Sequence, residues 1–457
     1  MPKIPVESWG RLTRDAHDWQ ALTQADGPAL LAQLQAGRPG IAYGAGRSYG
    51  DVALNPGGTL WATRGLDRFI RFDENEGVLT CEAGALLRDV QRLAIRRGWM
   101  LPVSPGTQMV TVGGAIANDV HGKSHHSAGS FGQHVRGLRL ARTDGQVIDA
   151  APQGGQADWF AATVGGLGLT GVITQAQLQL ERIQSPWFEV DVQPFGSLAE
   201  FLAINAETGQ QGWAHTVSWI DCLRHRGGTR GIFMRGNLVK EAVRRPAARQ
   251  RRWRMPLTPP FSLINPLSLR LFNLAYYHAH RLKAGRGLAY YEPFLYPLDH
   301  IQDWNRFYGP RGFYQYQCVV PHAGGAEAVQ AMLDAIGASG QGSFLAVLKT
   351  MGDTPSAGML GFAMPGITLA LDFPNRGAST LALFERLDAI VHEAGGRIYL
   401  AKDARWPRKY FEAAYPRLQE FLPYRDPGIS SSLSRRLMGA CRALNKRPGH
   451  FFENASS

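Results

Sequence analysis

Three glycine-rich segments most constrain what this chain can fold into. They are residues 42–51 (AYGAGRSYGD), residues 105–122 (PGTQMVTVGGAIANDVHG) and residues 165–171 (GGLGLTG). Glycine lets the backbone approach a ligand closely, and exposed backbone N–H groups in such loops can bind phosphate oxygens. One loop of this kind would indicate no more than a tight turn. Two long ones and a third shorter one favour a binding site for an extended cofactor that carries a pyrophosphate.

Two segments resemble familiar nucleotide-binding motifs but lack a feature that each motif needs. Residues 166–171 spell GxGxxG, but a dinucleotide fingerprint follows a strand and opens a helix. Here the pattern predicts a helix before the motif, over residues 158–164, and a strand after it, over residues 172–180. A Walker A loop ending at residues 122–124 would need glycine where Ala117 stands. We therefore expect neither a Rossmann site nor a P-loop.

A cluster of histidines, His121, His125 and His126, raises the question of a metal site. A pair four residues apart shares a face only on a helix, and Gly122 and Gly129 disfavour one there. Asp119 is the one carboxylate close by in sequence. We expect no metal site.

The remaining pattern mixes helices and strands without a regular βαβ period, which favours the α+β class. Apolar spacing predicts a helix over residues 86–97, and alternation predicts strands over residues 313–320 and 367–373. The Ala, Leu and Gln content of residues 11–36 predicts helical turns.

The charge is concentrated in one segment. The chain has 49 Lys or Arg and 37 Asp or Glu, a net charge of +12, but residues 242–291 hold ten of the basic residues and no acidic one. A nearly neutral remainder argues against a uniformly basic nucleic-acid-binding protein. An arginine-rich stretch, residues 244–254, precedes an amphipathic helix predicted from residue 266 to 283, and this order favours contact with anionic lipid. A mobile basic lid and a nucleic-acid contact are the alternatives.

Cysteine use and hydropathy bear on the compartment. The four cysteines lie far apart, with no CxxC pair, which favours a reduced, cytoplasmic setting. We expect no secretory signal in residues 1–7 and no membrane-spanning helix.

Further residues carry a resemblance to a known family. The glycine-rich segments resemble the flavin-binding domain of the vanillyl-alcohol oxidase (PCMH-type FAD) superfamily and, within it, the decaprenylphosphoryl-β-D-ribose 2′-oxidase family. The similarity is most specific over residues 102–135 and extends over most of the chain except residues 240–290. Its motifs are DVHGKSHHSAGSFG at 119–132, WNRFYGP at 304–310, YQCVVP at 316–321, DFP at 372–374, YLAKDAR at 399–405 and YPR at 415–417.

The resemblance implies three regions. Residues 1–185 would form a PCMH-type FAD-binding domain, and residues 186–396 a substrate-binding domain with an antiparallel sheet and a basic insert at 240–290. Residues 397–457 would return to the FAD domain. The residues expected to contact FAD are Gly44, Ala45, Gly46, Arg47, Ser48, Tyr49, Gly50, Asp51, Gly106, Thr111, Val112, Gly113, Gly114, Asn118, Asp119, Val120, His121, Gly122, Ile173 and Tyr399.

The resemblance also implies how FAD is attached and which residues act. Some superfamily members bind FAD through a histidine in the first loop, but Arg47 stands at the matching place, so we expect non-covalent FAD. Lys402 matches an active-site lysine beside the flavin, and the other expected catalytic residues are His121, Tyr49, Gln317 and Lys349. Ala370 replaces a cysteine that covalent nitroaromatic inhibitors attack in some members, which predicts insensitivity to them, and Thr368 replaces an asparagine.

The implied activity is that of an FAD-dependent oxidoreductase acting on CH–OH groups. It would oxidise a secondary hydroxyl of a polyprenyl-phosphate-linked pentose to a keto sugar, by hydride transfer to flavin N5, as the first half of an epimerisation in cell-wall or polysaccharide biosynthesis. A short-chain reductase would be its partner, and it would lie on the inner face of the plasma membrane through residues 244–283, with no nucleic-acid partner. The alternatives are a soluble sugar or D-arabinono-1,4-lactone-type oxidase, and a non-enzymatic basic protein that keeps the fold.

Overall fold

The structure is a computed structural model that describes residues 2–224, 228–243 and 253–439. The arginines at 244, 245, 249, 251 and 252, which the basic-insert prediction invokes, lie outside the described residues. The first sheet has four strands in the order β1-β2-β4-β3, and β4 is parallel to both of its neighbours. Its strands, and the helix that joins β2 to β3, are β1 (Lys3–Glu7), β2 (Arg14–Ala21), α1 (Gly27–Ala36), β3 (Gly40–Tyr43) and β4 (Thr59–Ala62).

A second sheet of five antiparallel strands follows, in the order β5-β6-β10-β8-β9, and β7 and β11 form a separate short pair. The strands are β5 (Phe69–Asp73), β6 (Val78–Glu82), β7 (Trp99–Met100), β8 (Val135–Ala141), β9 (Val147–Ala150), β10 (Val172–Gln179) and β11 (Glu181–Arg182). The helices of this part are α2 (Leu87–Ile95), α3 (Val112–Ala117), α4 (His125–Ala128) and α5 (Ala157–Thr163).

The third sheet has eight strands, all antiparallel to their neighbours, in the order β16-β12-β14-β13-β19-β20-β18-β21. A parallel pair, β15 with β17, lies apart from it. The strands are β12 (Trp187–Phe195), β13 (His215–Ile220), β14 (Gly231–Leu238), β15 (Trp253–Arg254), β16 (Gly285–Tyr290), β17 (Ile301–Gln302), β18 (Phe313–Val320), β19 (Ala346–Met351), β20 (Gly366–Pro374) and β21 (Arg397–Ile398).

Helices accompany the third sheet and continue to the end of the described chain. They are α6 (Leu198–Gln210), α7 (Pro266–Arg281), α8 (Tyr291–Leu295), α9 (Gly325–Ser339), α10 (Ala378–Glu393), α11 (Arg408–Ala414), α12 (Leu418–Phe421) and α13 (Ser432–Met438). The interleaved helices and antiparallel sheets confirm the α+β class. Among the described residues, none of these helices combines the length and the apolar character needed to cross a bilayer.

One local prediction is wrong. The expected helical turns of residues 11–36 are helical only in α1, because residues 14–21 form β2 instead. This strand pairs antiparallel with β1, with Asp18 opposite Lys3, and parallel with β4, with Asp18 opposite Thr59. Pairing on both edges gives its backbone groups partners, which outweighs the weak helix preference of its Ala and Gln residues.

The last described residues return to the first sheet. Gly40 donates its N–H to the carbonyl of Gly428 at 3.0 Å and accepts one from Ser430 at 2.9 Å. The buried carboxylate of Asp426 accepts hydrogen bonds from the N–H and the hydroxyl of Thr143. The Gly40 contacts hold the start of β3, and β3 leads directly into the first glycine-rich segment.

Strand alternation decides which side chains of the third sheet face the site. Tyr316 and Phe373 pack against Phe384 of α10 on one face. Gln315 and Gln317 of β18, two residues apart, point to the other face. The helix-covered face therefore holds the core, and the opposite face is left for a ligand.

Candidate active site

A cavity of about 640 Å³ lies between the glycine-rich segments and the open face of the third sheet. Its volume falls in the range of about 300–1,000 Å³ that is usual for ligand sites. The sheet contributes side chains from three neighbouring strands: Gln315 and Gln317 of β18, Lys349 and Val347 of β19, and Thr368 and Ala370 of β20.

The structure brings most of the sequence-predicted cofactor residues to this cavity. The wall includes Gly44, Ala45, Gly46, Arg47, Ser48, Tyr49, Gly106, Thr111, Gly113, Gly114, Asn118, Val120, His121, Gly122, Ile173 and Tyr399. The five predicted catalytic residues, Lys402, His121, Tyr49, Gln317 and Lys349, also line it. Residues from distant parts of the chain therefore meet at one site.

Four predicted cofactor residues do not line the cavity, because each serves the fold behind it. Gly50 lies against the backbone of the loop after β21, and a Cβ atom there would come 1.6 Å from the carbonyl oxygen of residue 403. Asp51 is ion-paired with Arg436 of α13 at 2.9 Å, and Val112 is fully buried in the core. Asp119 is buried and accepts hydrogen bonds from the N–H of residue 132 at 2.9 Å and the hydroxyl of residue 356 at 2.6 Å.

His121 is the centre of a polar cluster on the sheet side of the cavity. The amide nitrogen Nε2 of Gln317 lies 2.9 Å from its Nε2, and Nζ of Lys349 lies 3.4 Å from its Nδ1. The ring stacks on Phe362 with centroids 5.5 Å apart. Burial, with help from the nearby Lys349, holds the pKa of His121 well below its usual value. The imidazole is therefore neutral near pH 7.

Lys349 occupies an unusual setting for a lysine. Its Nζ donates to the carbonyl of Gly122, and the side chain is only 6% exposed. Burial, reinforced by the charge of Lys123, lowers the pKa of Lys349 to about 7. A lysine near its pKa at neutral pH can both donate and accept a proton.

Lys402 lines the cavity beside Tyr49. Its Nζ is 3.7 Å from the centre of the Tyr49 ring, a close cation–π contact. Tyr49 is itself held edge-on against Phe313, with centroids 5.5 Å apart. Burial lowers the pKa of Lys402 and raises that of the Tyr49 hydroxyl well above its usual value.

Among the cavity residues that sequence reasoning missed, three bear on the chemistry of the site. Lys123 is one: burial lowers its pKa to about 8, and its Nζ donates to the carbonyl of Leu295 at 3.2 Å. Trp9 is another, and its ring lies 4.0 Å from the guanidinium of Arg47. The third, Gln315, lies two residues before Gln317 on the strand predicted at 313–320, so strand alternation could have placed it on the same face. Trp9 gave no signal, because only the fold brings residue 9 to the first glycine-rich segment.

The remaining histidine motif serves the fold. His125 accepts the N–H of Gly352 at 3.1 Å, and burial lowers its pKa to about 3. Nε2 of His126 lies 2.7 Å from the carbonyl of Trp213. The two side chains thus anchor α4 next to the third sheet.

The order of elements around the GxGxxG match is as predicted from the sequence. The helix α5 ends at Thr163 before the motif, and the strand β10 begins at Val172 after it. The motif is therefore no Rossmann turn. Leu167, Gly168 and Gly171 nevertheless line the cavity, so this third glycine-rich segment belongs to the same site as the first two.

Comparisons with known proteins agree with this geometry. A family model described as an FAD binding domain matches residues 24–151. A decaprenylphosphoryl-beta-D-ribose oxidase of Mycolicibacterium smegmatis is 37% identical over 420 residues, 89% of this chain and 90% of the relative. An uncharacterized protein of Streptomyces coelicolor is 32% identical over 77% of this chain and 99% of its own length. The L-gulonolactone oxidase of Mus musculus is 32% identical over 30% of each chain.

The cavity wall fits FAD in two independent ways. Residues 46–48 of the first glycine-rich segment have no backbone acceptor for their N–H groups among the described residues. Arg47 Nε, Gln108 Oε1 and Asn118 Oδ1 are buried and likewise lack a hydrogen-bond partner within the described part of the chain. Buried polar groups are normally paired. A ligand with phosphates, hydroxyls and ring nitrogens would supply the partners that these atoms lack.

Gly44 provides a direct test of this fit. A Cβ atom at residue 44 would lie 2.5 Å from Oγ1 of Thr111, which caps α3 by accepting the N–H of Gly114 at 3.1 Å. We expect Gly44→Ala to displace Thr111 and to lower the FAD content of the purified protein several-fold. The ratio of flavin absorbance to protein absorbance measures it.

Gly209→Ala is the matched control. Gly209 lies in α6, and a Cβ atom there would meet nothing within 4 Å, so its FAD content should equal that of the wild type. Equal FAD content in Gly44→Ala and Gly209→Ala would contradict the assignment of this segment to the cofactor.

Proposed function

The chain belongs to the family of FAD-dependent oxidoreductases that includes decaprenylphosphoryl-β-D-ribose oxidase, and we propose that it oxidises a secondary hydroxyl of a pentose linked to a polyprenyl phosphate. The product would be the corresponding keto sugar. The observation that carries this proposal is the cavity, in which glycine-rich segments face a polar cluster of Lys402, His121, Gln317 and Lys349. The 89% coverage of the similarity to the mycobacterial oxidase supports the same substrate class.

FAD would be held without a covalent bond. Its backbone contacts would come from residues 44–48, 106 and 111–114, with Asn118 and Arg47 as polar side-chain partners. When bound, FAD supplies the acceptor for the hydride that leaves the sugar carbon, at N5 of its ring system. The chain's own task is to orient the sugar and to accept the hydroxyl proton.

His121 is the residue that we assign to the proton. Oxidation of an alcohol to a ketone releases a hydride from carbon and a proton from oxygen, and a neutral imidazole can accept that proton. Its two ring nitrogens lie near Gln317 and Lys349, at 2.9 and 3.4 Å, which fixes the plane of the ring. Lys349, with a pKa of about 7, can pass the proton on.

Lys402 would act as a hydrogen-bond donor and a positive charge. The cation–π contact with Tyr49 directs its ammonium group along one wall of the cavity. A positive donor held in a buried site stabilises negative charge that develops on a reacting oxygen. Lys402 and His121 thus give the site one charged donor and one neutral acceptor.

A lipid-linked substrate is supported by the surface of α7. Leu269 and Asn273 are buried on the inner side of this helix. The side-chain amide of Asn273 donates to Oδ1 of Asp221 at 2.6 Å. The outer side exposes Leu267, Leu271 and Leu274, whose side chains are 49–68% accessible. This spacing of four and three residues forms one apolar stripe on the helix. Exposed apolar stripes of this kind mark contact surfaces.

The charges beside the stripe favour a membrane as its partner. Arg270 and Arg281 lie on the same helix, and Lys283 and Arg286 follow it. A basic helix with an exposed apolar face lies on anionic lipid surfaces. Arg254 lines the cavity as well, and its neighbour Trp253 is 68% exposed. Strand β15 thus places a cationic residue on the cavity wall beside an exposed aromatic one.

The proposed product implies a second enzyme. A keto sugar formed by oxidation at one carbon becomes the epimer when a reductase returns hydride to the other face of that carbon. We infer that a short-chain reductase consumes the product, which places this oxidation in cell-wall or polysaccharide biosynthesis.

Flavin reduction by a panel of sugars tests the substrate class. We expect anaerobic mixing with a polyprenyl-phosphoryl pentose to bleach the flavin absorbance within the turnover time, and aldonolactones or free sugars to leave it unchanged. Rapid bleaching by an aldonolactone alone would instead support a soluble lactone oxidase, the activity class of the mouse relative. Bleaching by neither class would contradict the proposal.

A Lys402→Ala variant completes that experiment. It should retain FAD, because the backbone groups proposed to hold FAD do not depend on the Lys402 side chain, which contacts the ring of Tyr49. Its bleaching rate should fall by at least about 100-fold, the usual effect of removing one such donor. A near-normal rate would remove Lys402 from the catalytic residues.

Acid precipitation tests how FAD is attached. None of the described cysteines lines the cavity, and Arg47 is not a nucleophile for flavin attachment. We expect FAD to appear in the supernatant after precipitation and centrifugation. Yellow colour that stays with the protein pellet would contradict non-covalent binding.

Vesicle flotation tests the lipid surface. Replacing Leu267, Leu271 and Leu274 together by Ser should reduce co-flotation with phosphatidylglycerol vesicles by at least about 10-fold, since each leucine buried in lipid contributes about 1–2 kcal/mol. Ile70→Ser is the control, because Ile70 is 49% exposed and lies on β5. Equal flotation of the triple variant and the control would contradict membrane contact through α7.

A further inference from the structure

Asp372 is a buried carboxylate that the proposed chemistry leaves without a role. It lies on β20, two residues beyond Ala370 and four beyond Thr368, which both line the cavity. By strand alternation Asp372 is on the same face of the sheet, one step deeper, and none of it is exposed. It is therefore placed directly behind the cavity wall.

Only one of the two carboxylate oxygens of Asp372 has a hydrogen-bond partner among the described residues. Nε2 of Gln315 donates to Oδ1 at 2.7 Å, and Gln315 is its cross-strand neighbour on β18. The backbone N–H of Asp372 donates to the hydroxyl of Ser343 at 3.0 Å. Oδ2 has no hydrogen-bond partner among the described residues. A buried carboxylate with one oxygen unpaired destabilises a fold, so its presence needs a compensating interaction.

Lys402 supplies that interaction. Its ammonium group is stacked on Tyr49, and Tyr49 contacts Gln315, the residue that also holds Asp372. Burial lowers the pKa of Lys402 and raises the pKa of Asp372 to about 7, while the attraction between the two opposite charges works against both shifts. Lys402, Tyr49, Gln315 and Asp372 thus form one chain of contacts.

We propose that Asp372 is the positioning residue of Lys402, whose side chain its buried carboxylate holds in the cavity as an ammonium ion. This inference rests on the proposed function, because it deepens the role of Lys402 in the same site. The proposal also fits the unpaired Oδ2 of Asp372. A carboxylate that was already fully paired, for example with an arginine, would attract a second cation less strongly.

The sign of the effect follows from the opposing contributions. Burial lowers the pKa of Lys402, and the negative charge of Asp372 raises it again. Removing that charge leaves the burial effect uncompensated, so the pKa of Lys402 must fall further. The lysine would then lose its proton at a lower pH, and any step that needs the ammonium ion would fail at that lower pH.

Other titratable groups face the same region. His121, from the loop after α3, is neutral because its pKa is well below the usual value. The pKa values of the Tyr49 and Tyr308 hydroxyls are raised well above theirs, so both are uncharged. Arg47 acts on Tyr49 and stays cationic. None of these supplies a negative charge to Lys402 near neutral pH.

The test is a direct titration of Lys402 in the FAD-loaded protein. The ¹³Cε chemical shift of labelled lysine reports protonation of Nζ, and the Lys402 signal is the one that Lys402→Arg lacks. In Asp372→Asn, which keeps the shape and the acceptor for Gln315, we expect the pKa of Lys402 to fall by at least about one unit, a tenfold change in the ammonium-to-amine ratio. An unchanged pKa would overturn the proposal.

Asp388→Asn is the matched control. Asp388 is also a buried aspartate, but it pairs with Arg405 at 2.7 Å on the helix-covered side of the sheet. Its replacement should leave the Lys402 titration where it is, and an equal fall in both variants would contradict a specific role for Asp372. If Asp372→Asn fails to fold, Gln315→Leu keeps the proposal testable. Loss of the Gln315 hydrogen bond weakens the charged form of Asp372, so the Lys402 pKa must again fall.

The pH profile of flavin bleaching separates this inference from the proposed function. With the pentose substrate, the alkaline limb of the profile should move to lower pH in Asp372→Asn but not in Asp388→Asn. A shifted Lys402 titration with no bleaching by any polyprenyl-phosphoryl sugar would refute the substrate class alone. Normal bleaching with an unshifted titration would refute the role of Asp372 alone.

Discussion

Antiparallel pairing of β18, β19 and β20 is the constraint on which the site depends. In this register Gln317 lies opposite Ala370, and Lys349 lies opposite Thr368. Side chains alternate between the two faces of a sheet, so a slip of one residue would turn Lys349 into the core and a leucine into the cavity. The aromatic contacts between the sheet and α10 on the other face make that slip unfavourable. Core packing on one side thereby fixes the chemistry on the other.

Buried positive charge is the second organising feature. Lys123, Lys349 and Lys402 all line one cavity, and burial lowers the pKa of each. Cations without anionic partners destabilise a folded protein. A pyrophosphate-bearing cofactor and a phosphate-bearing substrate would both neutralise such a wall when they bind. The proposed ligands and the electrostatics of the cavity are thus complementary, and the role proposed for Asp372 concerns the lysine that acts as a cation in the reaction.

The sequence predicted the parts of this arrangement that are local. Glycine-rich segments are visible in any window of ten residues, and the alternation of β18 and β20 identifies Gln317 as facing away from the core. No local pattern predicts contacts between distant residues. Trp9 lies against Arg47 in a part of the fold where the backbone N–H of Trp9 donates to the carbonyl of Ser48 at 3.0 Å. In β2, pairing with β1 and β4 outweighed the helix preference that the composition had indicated. The proposed partnership of Asp372 with Lys402 needs the 29 residues between them to fold back, which no motif encodes.

Thr368 and Ala370 differ from the residues of the resembled family. Both affect which molecules the cavity accepts, whereas other residues of the same sheet carry the chemistry. The Thr368 hydroxyl donates to the carbonyl of Cys318 at 2.7 Å and is thereby engaged by the backbone. Ala370 presents only a methyl group to the cavity between Gln317 and Val347. The described cysteines, Cys81, Cys222 and Cys318, are buried away from the cavity, and burial raises the pKa of each thiol to about 12. A thiol at residue 370 would thus bring the cavity a nucleophile that it otherwise lacks, whereas His121, Lys349 and Lys402 keep their positions whichever residue stands there. Substitutions on β20 can therefore change which molecules fit the cavity without changing the residues that carry out the reaction.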